Sequence, residues 1–556
     1  MEHQSRGLEF YQKIKQSVKS WKSILILVAL VVVNLLAWKV VYRWDMTNDK
    51  RYSISSATKG LLQSLESPLE ITLFLDGELN AGFTRLKKAT KEIVEELNVY
   101  ATIKVNENPS ENYKQQLEPI VIHERTHKGK TAQTTVYPYA LVKYNERVQL
   151  VSLLKNQRGL SGEENLNNSI ENLEYAFTEA IRSLTQTEIE KIAFLEGHGE
   201  LDELYVYDLT QSLAQYYQVD RGVLGTEVGV LDDYKAVIIA DPQQPFSETD
   251  KYILDQYVMQ GGRILWVVNG VRFSEDFLSS QGTTPIIALD LNINDLLFRY
   301  GARINHTLVQ DLQCLPVPVD VSNDASQPNW QPMPWTYAPL LLTSQASPVT
   351  MNLSQVSATM ASAVDLVGEE DGLHKEILLA TSTASKMTAA PARVDLSLGV
   401  DDEQSFKYAF IPVAVSIEGS FQSLYAYQLP PEGIEQNASV KKQSKATKQI
   451  IVASGSIIRN EVQQGQPMPL GYDRYTNMQF GNRDFMINAV LYLTDDQGWM
   501  QLRKKDFSLR LINDQRAQQT HIMAQIISIV IPLALLALVG GVVTIIRRKQ
   551  NIKTAS

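Results

Sequence analysis

Two apolar runs near the ends of this 556-residue chain constrain its architecture more than any other feature. The second, Ile522–Ile546, carries no charged side chain and stops at Arg547-Arg548-Lys549. A helix of about 20 apolar residues spans a bilayer, and a buried soluble helix of that length with no polar face would be unusual. Pro532 and the Gly540-Gly541 pair are tolerated in a spanning helix, where small residues let a neighbouring helix approach closely. The first run, Ile24–Trp38, is interrupted only by Asn34, and it reaches Trp44 if Lys39 and Arg43 snorkel to the headgroups. No small-x-small cleavage site follows, and Trp38, Lys39, Tyr42 and Trp44 suit interfacial anchoring. The run is therefore read as an uncleaved anchor, not a signal peptide.

Charge then sets orientation. Residues 1–22 sum to +3 and residues 547–556 to +4, so the rest carries −17 of a formal net charge of −10. Basic flanks stay in the cytoplasm, although Lys39, Arg43, Lys50 and Arg51 dilute the bias at the first helix. The expectation is a two-pass protein of a bacterial inner membrane, both termini cytoplasmic, the acidic bulk periplasmic. Two helices cannot line a substrate pathway, so a transport role requires a partner with more spans. The acidic excess argues against nucleic acid as a partner. A single cysteine, Cys314, excludes an internal disulfide framework and a Cys-rich metal site.

The chain divides into a cytoplasmic tail 1–22, a transmembrane helix 23–44, a small α/β domain 45–160, a connecting helix 161–187, a larger α/β domain 188–515 with a β-rich insert at about 312–447, a second transmembrane helix 521–546 and a tail 547–556. In the small domain, Ile71–Leu75 alternates as a strand, Thr84–Tyr100 shows one helical apolar stripe, and Thr102–Val105 is a second strand. Pro119–His123 and Tyr139–Val151 read as β around a Lys-Gly-Lys turn. Strand, helix, strand and hairpin resemble a thioredoxin-like layout that lacks Cys-x-x-Cys. Leu166, Ile170, Leu173, Phe177, Ile181 and Leu184 give the helix Glu163–Leu184 one apolar face. Beyond it, Lys191–Leu195, Glu203–Tyr217, Tyr217–Val223, Ala236–Ala240, a helix capped by Ser247 and Asp250, and Ile264–Val268 alternate strand and helix. That order implies a parallel sheet with right-handed crossovers. The polar, Lys-bearing segment 432–449 reads as an exposed loop. The α/β pattern resumes at Gln449–Ala453 and at the helix Asp484–Leu493, so the insert is expected to return a last strand to the sheet.

Four motifs invite chemistry. His123-Glu124-Arg125-Thr126-His127 matches H-E-x-x-H, but zinc needs both histidines on one helical face. Here Ile120-Val-Ile leads in and Lys128-Gly-Lys130 follows, and a strand holds positions four apart about 13 Å from one another. No metal site is assigned. Gly197-His198-Gly199-Glu200 follows a strand where α/β sheets bind ligands. Asp202 stands where the third glycine of a dinucleotide loop belongs, and its charge would repel a pyrophosphate. A tight turn and helix cap is the structural alternative to ligand binding through Gly197, His198, Gly199 and Glu200. Cys314 lacks a strand-to-helix elbow and reads as a buried structural thiol. Gly129-Lys130-Thr131 lacks the upstream glycine of a P-loop, and no G-x-S-x-G occurs. Neither a catalytic residue nor a cofactor is assigned.

The blocks KIAFLEGHGELDE (191–203), YKAVIIADPQQPFSETDKYILDQYVMQGGRILWVVN (234–269), GYDRYTNMQFGNRDFMINAVLYLTDDQGWMQLRKKDFSLRL (471–511) and SGEENLNNSIENLEYAFTEAIRSL (161–184) resemble the gliding-motility-associated GldG family over nearly the whole chain. The middle domain also resembles ABC-transporter auxiliary domains and, more distantly, Rossmann-like glutamine-amidotransferase sheets. The amidotransferase cysteine has no counterpart after Val268, where Asn269-Gly270 stands. The resemblance implies a non-enzymatic auxiliary, nominally substrate-binding subunit of an ABC transporter supporting gliding motility and associated secretion. Its implied partners are a multispan GldF-like permease and a separate cytoplasmic GldA-like ATPase within the lipid bilayer, with a homodimer inside the complex left open. A membrane-tethered enzyme using the His198–Glu200 loop and a structural organiser of the envelope are the alternatives.

Overall fold

The computed structural model describes residue 28, residues 54–504 apart from 78, 108–110, 116, 126–130, 156–160, 187–188, 321, 323–328, 369–371, 397–402, 433 and 435–439, and residues 528–545. The expected first transmembrane helix and both basic tails lie outside the described residues, Val28 excepted. The chain is a mixed α/β protein with several sheets, and it separates into one unit ending at Lys505 and a second, Asp506–Ser556.

A four-stranded sheet comes first. Strand β1 (Leu69–Leu73) runs parallel to β2 (Ile103–Asn106) across helix α1 (Ala81–Leu97). On its other side it pairs antiparallel with β5 (Tyr139–Tyr144), which turns into β6 (Arg147–Ser152). The expected single β segment 139–151 is thus a hairpin, turning where Asn145 takes a φ of 53°. A separate hairpin joins β3 (Ile120–Arg125) to β4 (Thr131–Val136). His123 and Glu124 therefore sit on a strand, and His127 is outside the described residues. Leu69, Ile71, Leu86, Phe177 and Ile181 are fully buried beneath the sheet.

The helix expected over Glu163–Leu184 is divided into α2 (Gly162–Glu171) and α3 (Leu173–Thr185) at Asn172, a turn residue with φ −87° and ψ −2°. Asparagine competes for backbone hydrogen bonds and tolerates such a break. Ser161 and Glu164 form a capping box at the start of α2. Helix α3 serves both sheets. Phe177 and Ile181 face the first, while Tyr175 joins the core of the second. There Tyr175 stacks on Trp499 with centroids 5.6 Å apart. Arg182 lies 4.4 Å from the Trp499 ring, and Arg503 lies 5.3 Å from that of Tyr175.

The second sheet has ten strands. Its parallel half runs β8 (Gln218–Gly222), β7 (Lys191–Leu195), β9 (Tyr234–Ala240), β10 (Ile264–Val267) and then β15 (Gln443–Val452). β9 and β10 are buried on both faces, as their continuous apolar runs require. From β15 the sheet continues antiparallel through β14 (Pro412–Gln422), β13 (His374–Ala380), β12 (Trp330–Thr343) and β11 (Cys314–Asp320). The insert is therefore the other half of the sheet. The expected loop at 432–449 is corrected as well, because Gln443–Lys448 already belongs to β15, held by pairing with β14. Cys314 opens β11 half-buried rather than buried, its thiol pushed up to about 11 by burial and by Asp311.

Helices α4 (Tyr207–Leu213) and α6 (Asn482–Thr494) cover one face of the sheet, and α5 (Glu248–Met259) covers the other. The helix expected over Glu203–Tyr217 shrinks to a 3₁₀ turn, Glu203–Val206, followed by the seven residues of α4. On α5, Ile253, Leu254, Tyr257 and Val258 are all buried, each worth about 1.5–3 kcal/mol for an apolar side chain of that size.

In the second unit, α7 (Ser528–Ile545) has a mean hydropathy of 2.5 and is, among the described residues, the one helix long and apolar enough to cross a membrane.

Candidate functional site

The parallel sheet reverses its strand order at β7, with β8 on one side and β9 on the other. Ligands in such folds bind in the crevice beyond the carboxyl ends of the strands at this point. The loop leaving β7 is Gly197-His198-Gly199-Glu200, and the loop leaving β9 begins at Asp241. Both glycines take positive φ, 114° and 74°, which lets the chain double back.

That crevice is filled by the protein itself. The N–H groups of Gln243 and Gln244 both donate to the His198 carbonyl at 2.8 Å, and the Leu201 N–H donates to the Ala240 carbonyl at 2.9 Å. A Cβ on Gly199 would lie 3.3 Å from that of Gln243. The His198 ring is also spoken for. Its Nδ1 lies 3.1 Å from a Glu200 oxygen, its Nε2 lies 3.3 Å from Asp250 Oδ2, and its face stacks on Phe246 at 3.8 Å. The backbone N–H of His198 donates to the other Glu200 oxygen at 2.7 Å. Asp250 is itself the third residue of the α5 capping box with Ser247. His198 thus ties the β7 loop to the start of α5, with a carboxylate oxygen beside each ring nitrogen.

Burial opposes charge on this imidazole, but hydrogen bonds to Glu200 and then Asp250 outweigh it and raise its pKa above 6.5. An imidazolium donates from both nitrogens, which is what two carboxylates demand. A raised folded pKa contributes stability that is fully present below pH 6.5 and is lost as pH rises through the raised value. We expect His198→Gln to lower the melting temperature most at pH 6 and progressively less towards pH 9. Equal losses at both ends would show that the imidazolium contributes nothing.

A second polar cluster, which the sequence did not announce, lies at the ends of β9, β10 and β15. Asp241 follows β9 with a φ of 55°. Asn269 Nδ2 donates to its Oδ1 at 2.6 Å, and Asn269 Oδ1 accepts the Gly455 N–H at 2.9 Å. A side chain at 455 would collide with the Asp241 carboxyl, whose atoms lie 2.2–2.5 Å from the position of a Cβ. Burial, only partly offset by Arg459, pushes Asp241 up to about 7. Asn269, just beyond β10, therefore works as a buried amide bridge between Asp241 and Gly455. Among the described residues, no group of three or more His, Cys, Asp or Glu side chains could hold a metal ion.

The described residues before Lys505 thus hold a parallel half-sheet, whose two loops at the strand reversal are hydrogen-bonded to each other, extended by an antiparallel half. The chain belongs to the family described as ABC-type uncharacterized transport system, whose model matches residues 190–489, more than half of its length. Residues 48–143 match the model of a domain of unknown function (DUF7088). No curated protein matches the chain. A solved structure similar to it is the mmIFT52 N-terminal domain, 14% identical, covering 55% of this chain and 98% of that one. Its TM-score of 0.32 is too low to carry an argument. Membership of the family supports a transport-associated accessory role and association with an ABC transporter complex.

Proposed function

We propose that this chain is a GldG-type auxiliary subunit of an ABC transporter that supports gliding motility and associated secretion. On this reading it is a two-pass protein of a bacterial inner membrane, with helices at 23–44 and 521–546, both termini cytoplasmic and the bulk periplasmic. The sheet of residues 45–160, thioredoxin-like in order, and the body of residues 188–515 stack through the connector 161–187. A multispan GldF-like permease and a GldA-like ATPase complete the complex, and ATP hydrolysis on the ATPase drives permease motion to which the body couples. The observation carrying this proposal is the family match over residues 190–489, supported by the apolar helix Ser528–Ile545. A non-catalytic role is supported by the His198 ring, both of whose nitrogens face carboxylates.

Purification of the full chain from native membranes in mild detergent tests it. The expected result is co-purification of a multispan membrane protein and an ATPase, identified by mass spectrometry. Recovery of the chain alone, under conditions that keep other transporters assembled, would overturn the proposal.

A further inference from the structure

A cavity of about 410 Å³ opens where the end of α4 meets the start of α6. Ligand pockets measure about 300–1,000 Å³ and form preferentially where domains meet. This one lies beside the junction of the two sheets. Asp484 in its wall acts electrostatically on Lys155, just beyond β6, and Glu179 of α3 acts on Tyr216, another residue of the wall.

Ser212 anchors one side of the cavity. Its buried hydroxyl donates to the Asp208 carbonyl at 2.7 Å and accepts from Arg483 Nε at 3.1 Å. The same Nε lies 3.5 Å from the Asp208 carboxylate, which fixes the guanidinium. Among the described residues, however, the two terminal nitrogens of Arg483 make no hydrogen bond or ion pair. Nor, among those residues, do the Asp484 carboxylate, the Ser354 hydroxyl or the side-chain amides of Gln215 and Gln479, all of which line the cavity. No side chain caps α6, so the N–H groups of its first turn are open at the same place. Arg483 and Asp484 are neighbours in the chain, yet they form no ion pair with each other.

We infer that this cavity binds a small zwitterion of the amino-acid class, its carboxylate held by the Arg483 guanidinium and the first turn of α6 and its ammonium held by Asp484. Two charges of opposite sign, neither paired with the other, decide the ligand. A lone anion would meet Asp484, a lone cation would meet Arg483, and a neutral sugar would leave both without a counter-charge. A molecule carrying a carboxylate and an ammonium answers both with charge-assisted hydrogen bonds. Gln215, Gln479 and Ser354 supply neutral donors and acceptors for the rest of it. The inference goes beyond the transport-complex reading proposed above and does not depend on it.

Thermal unfolding of the full chain in detergent tests the site, with the twenty common amino acids as probes at about 1 mM each, since a ligand of the native state raises the midpoint. The expected result is a rise with at least one amino acid, and none with the N-acetyl amides of the same set, which carry neither charge, or with glucose. For the amino acid that binds, calorimetry should show Arg483→Gln and Asp484→Asn each weakening the affinity at least about tenfold. Asp484→Asn breaks no hydrogen bond or ion pair of the described fold, so its unliganded midpoint should match the wild type and separate lost binding from lost structure. No rise with any amino acid would overturn the inference, as would an equal rise with the N-acetyl amides or glucose, or wild-type affinity in both variants. Each of these failures leaves co-purification with a permease and an ATPase unaffected, so it is distinct from failure of the transport-complex reading.

Discussion

Asp241→Asn is expected to stabilise the body by on the order of 4 kcal/mol at pH 8 and by almost nothing at pH 3.5. Asp241 is held at about 7 in the folded chain against an ordinary value of 3.8, burial being the chief cause. Arg459 pulls the value down and Glu275 pushes it up, the two being joined by an ion pair of 2.7 Å. Below 3.8 the carboxyl is protonated whether the chain is folded or not, and its burial is harmless. Between 3.8 and about 7 the unfolded chain ionises freely while the folded chain keeps its proton, so wild-type stability falls as pH rises and then levels off. Each unit of difference is about 1.4 kcal/mol. The asparagine carbonyl still accepts from Asn269 Nδ2, so the bridge to Gly455 survives. Urea unfolding of the detergent-solubilised chain from pH 3.5 to 8 measures this directly. The gap between variant and wild type should open across that range, and parallel curves would refute it.

Trp499→Ala should destabilise the chain by about 3–5 kcal/mol, the usual loss when a buried tryptophan is truncated. Trp499 is 4% exposed and Tyr175 is 5% exposed. Their stack is the contact through which α3, rooted in the core of the first sheet, holds the segment Trp499–Lys504 of the second. Removing the indole also deprives the Arg182 guanidinium of the ring it covers, a cation–π contact worth about 0.5–2 kcal/mol. The loss should concentrate between the two sheets. Limited proteolysis would then cut the 186–190 connection faster, in addition to the lower unfolding midpoint. Trp499→Phe, which keeps a ring in the site, should cost less than half as much. Identical behaviour of the two variants would mean that the stack does not join the sheets.

The two clusters at the sheet ends differ in how far the sequence could reveal them. Gly197-His198-Gly199-Glu200 was visible as a turn after a strand, and Ser247 with Asp250 was visible as a cap. That Asp250 completes the His198 site from 52 positions away was not. Asp241, Asn269 and Gly455 stand at the ends of three strands that only the sheet brings together. The one local sign was an acid and a proline directly after an apolar strand.

The sequence alone determined whatever depends on neighbours along the chain. The uncharged run that contains Ser528–Ile545 makes an apolar helix there. Ala236–Ala240 reads as a strand buried on both faces and Ile264–Val268 as a strand, and the alternation of strand and helix between 191 and 268 winds a parallel sheet. Tertiary structure decided what depends on partners far away. Polar Gln443–Lys448 became strand because β14 supplied its hydrogen bonds, and the insert became half a sheet because its strands found an open edge. The crevice at the strand reversal is closed because backbone groups from two loops found each other. Hydrophobic period and helix caps act over a few residues, whereas a hydrogen-bond partner across a sheet is chosen by the fold, and no local pattern encodes it.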